Sequence, residues 1–220
     1  MSHSLDARSL IEFMRLAEGL KSVLRHSYTS SGRVESVAEH SWMLCLMAML
    51  VFDSIEVEVD RLRVLKMLVV HDLPEVLTGD IPAFFKGNNG HHQIEEEAAL
   101  RKMVKPLSPG LRKEILALAH EFEERKTPEA RLAYAIDKAE AFIQHNIAGV
   151  ESWDANDFLY QTDFDNRRHQ AVLFDPFMTE LKRQIDLETM DLIEQAGLMA
   201  RASRDAVQRY QAGELSGGAD

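Results

Sequence analysis

One cysteine in 220 residues, Cys45, cannot close an internal disulfide, and the chain has no cysteine pair for a zinc finger. A lone thiol fits a reducing compartment. Basic residues are also scarce. Twenty-five Lys+Arg stand against 36 Asp+Glu, a net charge of −11 with a pI near 5.3. A chain this acidic repels polyphosphate backbones, so a general nucleic-acid partner is excluded. Long hydrophobic runs are missing as well: the longest, Met43 to Phe52, is ten residues, about half of what a membrane crossing requires. Met1 to Arg8 lack the basic and apolar regions of a secretory signal. The expectation is a cytoplasmic protein without a membrane partner.

What is present is ordinary for a globular chain, 45% hydrophobic and 28% charged, and the length suits a single domain with a sizeable core. The pattern is helical almost throughout. Leu10, Phe13, Met14, Ala17, Leu20 and Leu24 recur at helical spacing. Ser31-Gly32 breaks the chain, and a very apolar helix over about Val37–Phe52 reads as a buried central one. A third helix spans Arg61 to about Leu73 and must end or bend at Pro74. Gly79-Asp80-Ile81-Pro82 reads as a turn and Lys86 to Gly90 as an exposed loop. Further helices fit Gln93–Val104 and Ser108–Glu124. Thr127-Pro128 opens another, Thr as N-cap and Pro at the first helical position, which decays near Gly149. Asp154–Asn166 reads as a loop, and a last helix covers about Arg167–Gln195 with a break at Pro176. No repeat and no useful strand pattern appears; Ile55–Val59 is the nearest strand candidate. The fold class is all-α, one domain over residues 1–212, with a disordered tail over 213–220.

Four side chains stand out because they are expensive to bury and suitable as metal ligands. His40 opens the apolar helix on a face with Met43, Leu44 and Met47. His71-Asp72 closes the run Met67-Leu68-Val69-Val70. Asp137 lies mid-helix in Leu132-Ala133-Tyr134-Ala135-Ile136-Asp137. An ionised carboxylate on an apolar helix costs several kcal/mol unless it is paired or binds a cation. Two His and two Asp suit Mn, Co, Fe, Zn or Mg, with positions open for water and substrate. Each feature alone has a plain alternative: His40 as a cap, His71-Asp72 as local hydrogen bonding, Asp137 paired with Arg131 or Lys138. Their joint occurrence carries the argument.

The order His40, His71-Asp72, Asp137 resembles the signature of the HD-domain metal-dependent phosphohydrolases. His71-Asp72-Leu73-Pro74-Glu75-Val76-Leu77-Thr78-Gly79-Asp80-Ile81-Pro82 resembles the branch containing bacterial 5′-deoxynucleotidases, as do Arg25 before Glu39-His40-Ser41 and Thr127 to Arg131 before Asp137. The resemblance spans about Leu10–Asn146. It implies a helical HD bundle with the metal between central helices, and one divalent cation held by His40, His71, Asp72 and Asp137. Glu75 would serve the general acid–base step, Asp80 would position substrate or the attacking water, and Arg25 would fork the phosphate. Asp80, Ile81 and His26 complete the expected substrate contacts. The residue after that arginine is often a bulky aromatic that selects deoxyribose; here it is His26, so the sugar preference stays open. The implied substrate is a small phosphorylated molecule, a nucleoside monophosphate. Alternatives are another phosphate ester, or a non-catalytic protein that the metal only stabilises.

The remaining chemistry-bearing residues read as surface. His91 and His92 fall beside the Gly-Asn loop, and His120 precedes acidic Glu121, Glu123 and Glu124, a solvated face. Arg101, Lys102, Lys105, Arg112 and Lys113 read the same way, while Trp42 and Met47 read as core. Leu181, Ile185, Leu187, Met190, Leu192 and Ile193 stripe the last helix. Members of the branch are commonly dimers, so a homodimer is expected by analogy; packing within one chain explains the same stripe.

Overall fold

The computed structural model describes residues 6–82 and 91–216. The expected loop at Lys86–Gly90 and the last four residues of the expected tail lie outside them. The first helix, α1 (Ala7–Ala17), starts where the Asp6 carboxylate accepts from the N–H groups of Arg8 and Ser9. It gives way to a 3-10 turn (Glu18–Lys21) and then to strand β1 (Leu24–Tyr28), which pairs antiparallel with β2 (Val34–Ser36). This hairpin corrects the expectation that no strand is present and that the first helix reaches Leu24. Its strands are too short, and too polar on both faces, for alternation to be read. Gly32, at φ 77, supplies the left-handed residue that turns the chain. Ile55–Val59 is irregular instead; the N–H groups of Glu56 and Val57 donate to Asp175 Oδ2.

Ser36 ends β2 and caps α2 (Val37–Val51): its hydroxyl accepts from the Glu39 N–H while Glu39 accepts from the Ser36 N–H, a reciprocal capping box. This helix buries one face, His40, Leu44, Ala48 and Val51, and leaves Trp42 at 62% and Leu50 at 71% exposure. It is not buried all round, and Trp42 is not core. The central element is α7 (Pro128–Ala148), which touches α2, α3 (Arg61–Val70), α6 (Pro109–Glu124), α9 (Arg167–Val172), α10 (Pro176–Gln195) and β1. Its start follows the expected chemistry, with Thr127 Oγ1 accepting from the Ala130 N–H and Pro128 in the first turn.

Asp154–Asn166 contains a helix, α8 (Ala155–Thr162), in place of the expected loop; its Asp-x-x-Asp capping box carries the start signal. The last long helix is broken into α9 and α10, with Pro176 opening the second. A short α11 (Arg204–Gln211) follows, and Leu215, within the expected tail, is buried against a satellite cluster of Trp153, Phe158, Phe164 and Ile193. The stripe on α10 is spent within the chain: Ile185, Met190 and Ile193 are buried there. Among the described residues no helix is long and apolar enough to cross a membrane.

Candidate metal centre

His40 lies one turn into α2. His71 and Asp72 follow α3, where the chain bends through Leu73-Pro74 into a single helical turn, α4 (Glu75–Thr78). Asp137 sits halfway along α7. Packing of α2, α3 and α7 on one another brings these residues together. His40 Nε2 is 3.2 Å from Asp137 Oδ1 and 3.9 Å from Asp72 Oδ2, and His71 Nε2 is 3.1 Å from Asp72 Oδ2. Donor atoms of His40, His71 and Asp72 lie within 4.8 Å of one another.

The donor chemistry fits a divalent cation. His71 Nδ1 is 3.0 Å from the Leu68 carbonyl, which only accepts, so that nitrogen carries the hydrogen. The other nitrogen is buried and faces the Asp72 carboxylate at 3.1 Å, a spacing that needs a proton or a cation between the two. His40 has the same orientation of roles, its Nδ1 lying 2.5 Å from Glu140 Oε2. A carboxylate behind a ligating imidazole fixes the ring and raises its basicity.

The electrostatics favour positive charge at this point. Burial and Arg25 push the His40 pKa down, but Glu140 and Asp137 outweigh them and raise it to about 9. Despite burial, His71 and His40 hold Asp72 well below the usual carboxylate range. Asp137 is likewise held low against burial, by Lys138 first and then the imidazoles. The Lys138 ammonium lies 2.7 Å from Asp137 Oδ2, so the pairing alternative for Asp137 holds alongside the contact with His40. Proton and cation compete for the His40 nitrogen, so affinity for a cation rises with pH.

His71, Asp72, Asp137 and Lys138 line a cavity of about 490 Å³ that also takes in Arg25, Glu75, Asp80, Ile81 and Pro82, while His40 is fully buried and not part of its lining. That volume suits a small ligand. Glu75 is 4% exposed, held at the first position of α4. Gly79, at φ 75, turns the chain after α4 so that Asp80 and Ile81 follow onto the cavity wall. Arg25 Nε donates to Glu35 Oε2 at 3.0 Å, which anchors the side chain from β2. Burial opposes the Arg25 charge, but Glu140, Asp80, Glu35 and Asp72 hold it more firmly protonated than usual.

His26 also reaches the cavity, with its ring against Asp157 rather than the four donors. His92, expected at the surface, lies in the first turn of α5 (His91–Met103), lines the cavity and pairs with Glu96 at 2.7 Å. His91 and His120 are exposed. Sequence reasoning missed Glu140 and Glu35. Glu140 carried a signal, because it lies three residues after Asp137 and so on the same face of one helix. Glu35 had none, since only the hairpin pairing brings it to Arg25.

The profile of the HD domain family matches residues 17–173. The chain belongs to the HD domain family. Relatives within that family include human 5′-deoxynucleotidase HDDC2, 35% identical over 63% of this chain and 67% of that protein. The fission yeast 5′-deoxynucleotidase hdd1 is 32% identical over 62% of this chain and 70% of its own. Among solved structures, a predicted metal-dependent phosphohydrolase from Magnetospirillum magnetotacticum superposes with a TM-score of 0.72. It is 24% identical, covers 86% of this chain and 96% of its own, and supports the helical HD fold. HD domain membership implies a divalent metal; His40, His71 and Asp72 offer donor atoms within 4.8 Å of one another, and Asp137 lies against His40.

Proposed function

We propose that the protein hydrolyses the 5′-phosphomonoester of nucleoside monophosphates, deoxyribonucleotides among them, to nucleoside and phosphate. The observation that carries this reading is a cavity lined by His71, Asp72, Asp137, Arg25 and Glu75, with the fully buried His40 ring in contact with Asp137 and near Asp72. The relatives named 5′-deoxynucleotidase support it. When bound, a divalent cation (Mn, Co, Fe, Zn or Mg) supplies Lewis acidity and lowers the pKa of water.

The chain does the rest. Arg25, braced by Glu35, forks two phosphate oxygens and fixes the phosphorus in line with the attacking water. Glu75 accepts the proton of that water and returns a proton to the departing 5′-oxygen. Asp80 orients water or sugar from the turn after α4, and Ile81 packs against the substrate beside it. Lys138 keeps Asp137 ionised. The protein is read as homodimeric on the family resemblance, which sedimentation of the purified chain tests.

Phosphate release from a panel of ribo- and deoxyribonucleoside monophosphates, with each metal in turn, is the direct test. Turnover on at least one, abolished by His71→Ala and Asp72→Asn, is expected; metal-loaded protein inert on every ester sinks the reading. A second reading has its own observation: Arg125, Lys138, Arg167 and Arg168 also line the cavity, more cations than one phosphate needs. A nucleoside di- or triphosphate turned over faster than the monophosphate in the same panel would establish it.

A further inference from the structure

A second group of donors gathers where β1 meets α8. Asp154 and Asp157 form the capping box of that helix. Asp154 Oδ1 accepts from the N–H groups of Asn156 at 2.6 Å and Asp157 at 3.1 Å, and Asp157 Oδ2 accepts from the Asp154 N–H at 2.8 Å. Each carboxylate thus spends one oxygen on the helix start and turns the other toward His26. Nε2 of His26 lies 3.6 Å from Asp154 Oδ2 and 3.2 Å from Asp157 Oδ1.

His145 closes the group from α7, its Nε2 3.5 Å from the same Asp157 Oδ1. Its Nδ1 is 2.8 Å from the Ala141 carbonyl, so Nδ1 bears the hydrogen and Nε2 of the neutral ring offers a lone pair. Asp157 is 3% exposed, and its Oδ1 accepts no hydrogen bond although two imidazole nitrogens flank it. His26, Asp154 and Asp157 offer atoms within 4.8 Å of one another, and His145 joins them through Asp157 Oδ1. The pattern repeats that of His71, where a backbone carbonyl one turn back fixes the tautomer and the other nitrogen faces a carboxylate.

We propose that His26, His145, Asp154 and Asp157 form a second binding site for a divalent transition-metal cation of zinc's class. Two imidazoles and two carboxylates match such a borderline ion, whereas magnesium and calcium favour all-oxygen sites. The two carboxylates match its charge. The ion ties β1, α7 and α8 together beside the cavity, onto which His26 and His145 both open. The family resemblance implies one cation, at His40, His71, Asp72 and Asp137; this is a separate one, and it stands whether or not the protein hydrolyses nucleotides.

The test is zinc stoichiometry of the full-length chain, by elemental analysis after equilibrium dialysis, alongside anomalous scattering from zinc-grown crystals. Wild type is expected to hold two equivalents, and His26→Ala and Asp157→Asn one each. The crystals should show a second anomalous peak about 2.0–2.3 Å from the His26 and His145 nitrogens. His26 is half-exposed on a hairpin, so His26→Ala should melt at the wild-type temperature in chelator; loss of the ion is then separable from loss of the fold. One equivalent in wild type, or a second equivalent retained by both variants, overturns the proposal. So does a second peak elsewhere. Phosphate release enters none of these readouts, so a failed activity assay leaves them intact.

Discussion

Glu75 and Glu140 are both buried glutamates beside one metal centre, and they make opposite predictions. Glu140 stands behind His40, 2.5 Å from the ring nitrogen that faces away from the donors. Glu140→Gln should weaken metal affinity about 10–100-fold, read by competition with a chelator. Glu75 lines the cavity at the start of α4. Glu75→Gln should keep the wild-type metal content while turnover of a nucleoside monophosphate falls about 10²–10⁴-fold. A variant with depleted metal and an unchanged rate per bound metal would move Glu75 from catalysis to support. Residue chemistry made Glu75 readable, because the motif His71-Asp72-Leu73-Pro74-Glu75 is contiguous. Glu140 matters only through a ring a hundred positions earlier.

At the scale of elements, the single turn α4 has to be held where Glu75 and Asp80 serve the cavity. Part of that hold is Gly19, in the 3-10 turn after α1: a Cβ there would meet Val76 Cγ1 at 2.8 Å. Valine has little rotamer freedom to retreat. Gly19→Ala should therefore destabilise the fold by about 1–3 kcal/mol through overpacking, measured by urea unfolding, and lower kcat as α4 shifts. Val76→Ala in the same chain should recover much of both losses; simple addition of the two effects would show that the contact is not the cause. Helices α2, α3, α6 and α7 were legible because each is a long apolar or periodic run, with Thr127-Pro128 marking the start of the last. The hairpin was not legible, and neither was α8, whose eight residues give too little period beside so many polar groups.

Across the whole molecule, buried ionisable groups link stability to pH. His169 is 2% exposed, its Nε2–H donating to the Tyr160 carbonyl at 2.7 Å beside Phe142. Burial first, and then the Lys182 ammonium, push its pKa down to about 3 from an ordinary 6.5. The unfolded chain takes up this proton as pH falls below about 6.5, while the folded chain resists until about 3. The contribution of His169 is complete above 6.5 and is lost as pH drops through that window, at up to about 1.4 kcal/mol per pH unit. Urea unfolding of His169→Gln should thus show a shallower acid slope between pH 6 and pH 4 than wild type. Parallel slopes would place the acid sensitivity elsewhere.

The chain order of His40, His71-Asp72 and Asp137, with Glu75 and Asp80 close behind, was enough to identify the family. Ligand types and local spacing are covalent properties of the chain, and helical periodicity follows from backbone geometry. What only the tertiary structure decided was proximity across elements. It set which helix is central, α7 rather than α2, and which carboxylates brace His40 and Arg25, Glu140 and Glu35. It also placed His26 beside His145, Asp154 and Asp157. Those encounters depend on the packing of elements far apart in sequence, and no local pattern encodes the distance between two side chains that only the folded core brings together.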